Sequence, residues 1–214
     1  LARYTTYKVG GPADALVWAD DDAHAAAILA VAKAHDVPVL PLGRGSNMLV
    51  ADKGVRGIVL KLGRAFDKVE ADGAGVTAGA GVPMSAMSKE CAKLGLSGAE
   101  FLFGIPGSMG GGIRMNAGAH GACVADITVG ARALGWDGAM HDVSAAELAF
   151  DYRTSSLGDY FCGLSGQFRL QPDDPNRVEA KTKEYYHQRL ASQPLNLPSA
   201  GCVFRNPDVG SAGK

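Results

Sequence analysis

Aromatic residues make up only 7% of the chain, and charge of neither sign dominates, with 21 Lys plus Arg against 22 Asp plus Glu and a formal net charge of -1. Without a basic surplus no field exists to hold a polyanionic backbone, so generic nucleic-acid binding is disfavoured and no nucleic-acid partner is expected. No run of eighteen apolar residues occurs, which argues against a spanning helix, and no membrane partner is expected. The first residues, LARYTTYKVGG, lack the apolar core of a signal peptide. The cysteines at 91, 123, 162 and 202 stand far apart, with no CxxC and no neighbouring histidine pair. That spacing excludes the usual zinc and thioredoxin patterns, so no metal site is expected and a reducing cytoplasm is the expected compartment.

What is present is an ordinary soluble composition, 47% apolar and 20% charged, in 214 residues. That length suits one large domain or two small ones. The unusual total is 29 glycines, about twice the average usage of ~7%. Many positions therefore need positive φ or close backbone approach.

Ala15 to Ala19 reads as a strand. Asp20 to Asp22 follow as N-cap and first-turn acids of the alanine-rich helix AHAAAILAVAKAHD. PVLPLG is strand-like, the loop RGSN follows, and MLVADKGVRGIVLKL supplies further apolar runs. Asp72-Gly73 is a hairpin signal, and PMSAMSKECAKLGL has helical periodicity ending at Gly95. DITVGARALGW and AMHDV look like strands, SAAELAF begins as a helix behind a Ser N-cap, and YFCGLSGQFRL alternates like a strand. A charged helix is expected from about Asp174 to Ser192. The whole is mixed α and β.

The segment Gly43-Arg44-Gly45-Ser46-Asn47-Met48 starts like a dinucleotide fingerprint but has Met where the third glycine belongs, so a Rossmann site is poorly supported. GSAGK near residue 214 is no phosphate loop, because Asp208 occupies its first glycine position. Two glycine-rich loops survive, GRGSN and GIPGSMGGG, whose unhindered N–H groups could bind a pyrophosphate. Ser46, Asn47 and Asn116 accompany them and favour a ligand over mere tight turns. Tyr152-Arg153 and Cys202, each taken alone, suit a snorkelling arginine and a small buried hydrophobe. His120, His141 and His187 have no partner pattern and read as structural.

Taken in order, Val9-Gly10-Gly11-Pro12-Ala13, GRGSN, Gly104-Ile105-Pro106-Gly107 through Met115-Asn116-Ala117-Gly118-Ala119, Tyr152-Arg153 and SAGCVFRNP at 199–207 resemble one family. It is the UDP-N-acetylenolpyruvoylglucosamine reductases, also called UDP-N-acetylmuramate dehydrogenases. The resemblance implies an α+β, two-lobed FAD-binding fold of the vanillyl-alcohol-oxidase type, followed by the start of a separate substrate-binding lobe. On that mapping residues 1–65 and 66–172 are the FAD-binding subdomains, and 173–214 begin the substrate lobe. Non-covalent FAD would be held by Gly43, Arg44, Gly45, Ser46 and Asn47, by Ile105, Pro106, Gly107, Ser108, Gly110 and Gly111, and by Asn116, Ala117 and Gly118. NADPH would be the co-substrate, using the same cleft as the UDP-sugar in turn, in a monomeric protein.

The implied chemistry is reduction of an enolpyruvyl ether to a lactyl ether in peptidoglycan precursor synthesis. Hydride arriving at the β-carbon leaves charge on the α-carbon and carboxylate, and a fixed guanidinium stabilises it without losing its proton. Arg153 matches that position. Cys202 matches the family's proton donor, Ser in many members; a thiol with an ordinary pKa of ~8.5 stays mostly protonated near neutrality and is a stronger acid than an alcohol. Tyr152, Asn206 and Gln193 match substrate-contact positions. No residue matches the family's C-terminal catalytic Glu, so a C-terminally incomplete chain is expected, of the shorter class that lacks a Tyr-bearing insertion. The alternatives are an FAD-dependent oxidase of the same fold and a catalytically incomplete flavin-binding fragment.

Overall fold

The structure is a computed structural model and describes residues 1–193, 197–201, 204–207, 210 and 212. An apolar strand β1 (Ala13–Ala19) runs into α1 (Asp22–Ala34), whose N-cap Asp21 accepts the His24 N–H at 2.7 Å. Asp22 and Lys33 complement the two ends of the helix dipole, and Ala25, Leu29 and Ala32 make the buried stripe. Strands β2 (Val39–Pro41) and β3 (Val55–Leu62) complete a parallel sheet in the order β1-β3-β2. Leu16 and Leu40 both pair with Val59. All three strands therefore end on one edge, at Ala19, Pro41 and Leu62, and the first glycine loop leaves from that edge. Open parallel sheets bind ligands beyond such carboxyl ends.

The chain then forms β4 (Val69–Asp72) and β5 (Gly75–Gly79), which turn at Gly73 with Asp72 paired to Gly75, as the Asp-Gly pair predicts. Next come α2 (Met84–Lys93), β6 (Leu96–Ser97), α3 (Met109–Arg114) and the short ribbon of β7 (Gly118–Ala119) with β8 (Ala122–Cys123). Strands β9 (Thr128–Leu134), β10 (Met140–Ser144) and β11 (Cys162–Arg169) join β5 and β4 in an antiparallel sheet ordered β10-β9-β11-β5-β4. The two-residue β12 (Gln171–Pro172) pairs with β6 and leads to α4 (Pro175–Ser192), capped by Asp174.

Two apolar clusters hold this together. Met87, Phe101, Leu102, Met109, Ile113 and Phe168 fill the space between the helices and the antiparallel sheet. Leu29, Leu60, Phe66, Leu134, Phe161 and Leu164 form a seam between that sheet and the parallel layer. No helix among the described residues is long and apolar enough to cross a membrane.

One expected element is absent. SAAELAF is a turn rather than a helix, although Ser144 and Glu147 do exchange capping bonds, Ser144 N–H to Glu147 Oε2 at 2.9 Å and Glu147 N–H to Ser144 Oγ at 3.3 Å. Ala149 then adopts φ +42 and turns the chain away. A capped single turn cannot offset the cost of helix nucleation unless a buried face extends it. Conversely, the glycine-rich segment contains α3, because Gly110 and Gly112 let the helix lie directly on Ala80 and Met84.

Candidate active site

The first glycine loop is gripped from behind. Lys61, at the carboxyl end of β3, donates from Nζ to the Gly43 carbonyl at 2.7 Å. The Thr6 N–H reaches the Gly45 carbonyl at 3.2 Å, and the Tyr4 carbonyl packs so close to Gly45, at φ +64, that no side chain fits there. The N–H groups of Arg44, Ser46 and Asn47 meet no backbone acceptor among the described residues. They stand at the edge where the parallel strands end.

The second loop is clamped by Met84 N–H to the Gly107 carbonyl at 3.2 Å and Met109 N–H to the Val82 carbonyl at 2.8 Å. It meets the first loop reciprocally. A Cβ on Gly43 would stand 2.8 Å from Ser108 Oγ, and a Cβ on Gly107 would stand 2.9 Å from Ser46 Oγ. Each loop thus presents a glycine to the other's serine, across more than sixty residues of sequence. Ser108 is buried, precedes α3 as its N-cap and makes no capping bond from its hydroxyl. Gly110 and Gly111 lie in the first turn of α3, while Ile105 and Pro106 form the outer part of the loop.

Asn116 follows α3 at φ +40 and acts as a bracket. Its Nδ2 donates to the Asp151 carbonyl at 3.1 Å, and its Oδ1 accepts the Ala125 N–H at 3.0 Å. Arg153 donates from Nη1 to the Asn116 carbonyl at 3.4 Å and lies 5.3 Å from the centre of the Tyr152 ring. Arg153 is half-buried and itself holds a left-handed backbone, φ +60, a strained state that persists where surrounding contacts impose it. Asn116, Ala117, Gly118, Tyr152 and Arg153 are therefore one unit.

The carboxyl-terminal segment reaches the same place. The Thr6 hydroxyl donates to the Ser199 carbonyl at 2.7 Å, and a Cβ on Gly201 would stand 3.8 Å from the Ser46 carbonyl oxygen. Cys202 lies outside the described residues. Gln193 ends α4, and Asn206 accepts the Ala212 N–H at 3.1 Å; among the described residues neither hydrogen-bonds to the glycine loops. Burial, aided by Glu90 and Glu100, pushes the Cys91 thiol up to about 12. Burial and then Asp22 push Cys162 up to about 12, so neither thiol is poised to donate a proton.

Several contributors carry no sequence signal. Lys61, Tyr4 and Thr6 act through backbone carbonyls, which any sequence supplies. His120 has partners after all, stacked on Tyr185 with ring centroids 4.3 Å apart and Nδ1 3.1 Å from Gln188 Oε1, which fits a structural role. His141 lies 3.1 Å from the Asp137 carboxylate.

Two converging glycine loops, the first with three N–H groups that meet no backbone acceptor among the described residues, fit a group carrying a diphosphate. In agreement, residues 13–144 match the family model described as an FAD binding domain. A solved VAO-type flavoprotein from Myceliophthora thermophila shares the fold at 16% identity and a TM-score of 0.55, over 73% of this chain and 31% of that one. Fold and site define an FAD-binding-type domain of the vanillyl-alcohol-oxidase architecture. UDP-N-acetylenolpyruvoylglucosamine reductase from Paracoccus denitrificans is 45% identical over 97% of this chain and 67% of its own length. The enzyme of that name from Bacillus subtilis is 41% identical over 100% of this chain and 71% of its own. The crystal structure of the Thermus caldophilus counterpart superposes with a TM-score of 0.83 at 34% identity, covering 100% of this chain and 75% of that one. The chain belongs to the UDP-N-acetylenolpyruvoylglucosamine reductase family.

Proposed function

We propose that the protein reduces UDP-N-acetylenolpyruvoylglucosamine to UDP-N-acetylmuramate, with non-covalent FAD and with NADPH as hydride source, as a monomer in the cytoplasm. The observation that carries this reading is the reciprocal meeting of Gly43 with Ser108 and of Gly107 with Ser46. It leaves backbone donors, not side chains, facing the ligand. Residues 1–65 and 66–172 serve as the two flavin-binding subdomains, and 173–214 open the substrate-binding lobe. When bound and reduced by NADPH, the flavin would supply the hydride that, together with a proton, saturates the enolpyruvyl carbon–carbon bond.

The chain's own residues do the rest. The N–H groups of GRGSN and those of Gly107, Ser108 and Gly111 hold the diphosphate and the ring, Ile105, Pro106 and Gly110 shape the second loop around them, and Asn116, Ala117 and Gly118 set the wall beside them. Arg153 lies against the substrate carboxylate and stabilises the negative charge that grows there, since its planar fork is fixed by Asn116 and stays cationic. Cys202 gives its thiol proton to the α-carbon. Tyr152, Asn206 and Gln193 orient the UDP-sugar.

The deciding experiment is the visible spectrum of the purified protein supplied with FAD. A flavin band that NADPH bleaches and the UDP-sugar then restores is expected. A protein that takes up no flavin, or whose reduced flavin the UDP-sugar leaves bleached, defeats the proposal.

A further inference from the structure

Lys61 stands on β3 opposite Trp18 of β1, at the carboxyl edge of the parallel sheet. Its ammonium donates to the Gly43 carbonyl at 2.7 Å, approaches the Leu42 carbonyl at 3.4 Å and lies 5.6 Å from the centre of the Tyr4 ring. Burial and then the neighbouring Arg44 guanidinium pull it below the ordinary lysine value, while Asp67 opposes both. The ammonium thus has a second cation, Arg44, and the Asp67 carboxylate within electrostatic reach beside the first glycine loop. Beside them stand the N–H groups of Arg44, Ser46 and Asn47, which meet no backbone acceptor among the described residues. Crowding like charges is unfavourable unless an anion joins them. A staple for the end of β3 needs no second cation at its side.

We infer that Lys61 positions the first glycine loop for the diphosphate of the flavin dinucleotide, by holding the Gly43 carbonyl inward and by adding its charge to that of Arg44. The inference rests on the flavin reading above and adds to it a residue outside the glycine motifs. With the Gly43 carbonyl turned toward Nζ, the following peptides present their N–H groups to the ligand. The ammonium therefore acts both through geometry and through field.

FAD binding to the purified chain, followed by flavin fluorescence at two or more salt concentrations, tests this. Lys61→Met is expected to weaken FAD binding by about 10- to 100-fold, the worth of a hydrogen bond to a charged group. It is also expected to flatten the salt dependence, because one phosphate-facing charge is gone. Lys61→Arg is expected to stay within about threefold of the unsubstituted chain, since a cationic donor remains. The inference is overturned by unchanged affinity in the Met variant. It is equally overturned if Arg is as weak as Met with unaltered salt dependence, which marks a purely structural staple. An unsubstituted chain that binds no FAD overturns the flavin reading and this one together, whereas FAD binding that ignores Lys61 overturns this one alone.

Discussion

At Arg153 the backbone, the side chain and the chemistry are tied to one neighbour. Its left-handed φ and its bond to the Asn116 carbonyl hold the guanidinium against the loop that Asn116 itself brackets. Arg153→Lys keeps the charge and loses the fork, so turnover is expected to fall by about 100-fold or more, as when a fixed donor to a developing anion is removed. The flavin spectrum is expected to survive, which separates lost chemistry from lost folding. Cys202→Ala is expected to leave bleaching by NADPH intact while product formation drops by about 100- to 10,000-fold, the usual worth of a general acid. Stopped-flow absorbance resolves the two half-reactions, and undiminished product formation removes the thiol from the mechanism. Tyr152-Arg153 was legible as a pair through the family motif. Lys61 was not, because its partner is a carbonyl and no residue type marks a carbonyl.

Among the elements, α4 decides how firmly the second glycine loop is seated. Tyr186 meets Phe103 edge-on at 5.1 Å, Tyr185 stacks on His120, and Lys181 reaches Glu100 at 3.3 Å. Glu100 is 2% exposed. Burial pushes its carboxyl upward, but bonds from the Ser97 hydroxyl at 2.6 Å and the Gly98 N–H at 2.7 Å, with Lys181, outweigh that and hold it below the usual carboxylate range. A carboxyl whose folded value is depressed stabilises the fold fully above its unfolded pKa of ~4.3 and loses that contribution as pH falls through the folded value. Glu100→Gln is expected to cost about 1–3 kcal/mol near neutrality, from the loss of charge-assisted bonds. The difference from the parent is expected to shrink below about pH 4 in urea unfolding; a constant gap across pH removes the carboxylate from this role. Gly166→Ala is expected to destabilise by about 1–3 kcal/mol through overpacking, since its Cβ would stand 2.5 Å from Phe168 Cζ and 2.6 Å from Ile113 Cδ1.

The element pattern was readable where local chemistry is self-sufficient. Asp20 to Asp22 announced α1, Asp72-Gly73 announced the hairpin, and the charged run from Asp174 to Ser192 announced α4. It failed at SAAELAF, where the cap is real and the turn still ends, because extension depends on a packing surface that local sequence does not reveal.

For the molecule as a whole the seam around Phe161 matters most. Its ring is fully buried among Leu29, Leu60, Leu134 and Leu164 and meets Trp136 edge-on at 5.2 Å, so both sheets rest on it. Phe161→Ala is expected to cost about 3–5 kcal/mol, visible in a denaturant midpoint. If the seam also sets the spacing of the sheets, FAD affinity falls with it while the antiparallel sheet's own cluster stays packed. The interlock of Gly43 with Ser108 was invisible in the sequence for the same global reason, since its halves come from different layers.

The bond from the Thr6 hydroxyl to the Ser199 carbonyl joins residues 193 positions apart. Such a closure forgoes chain entropy that local turns never surrender. In a refolding time course, ultraviolet circular dichroism is expected to recover first and uptake of the yellow ligand to lag, so the youngest part of the native molecule would be the part that works.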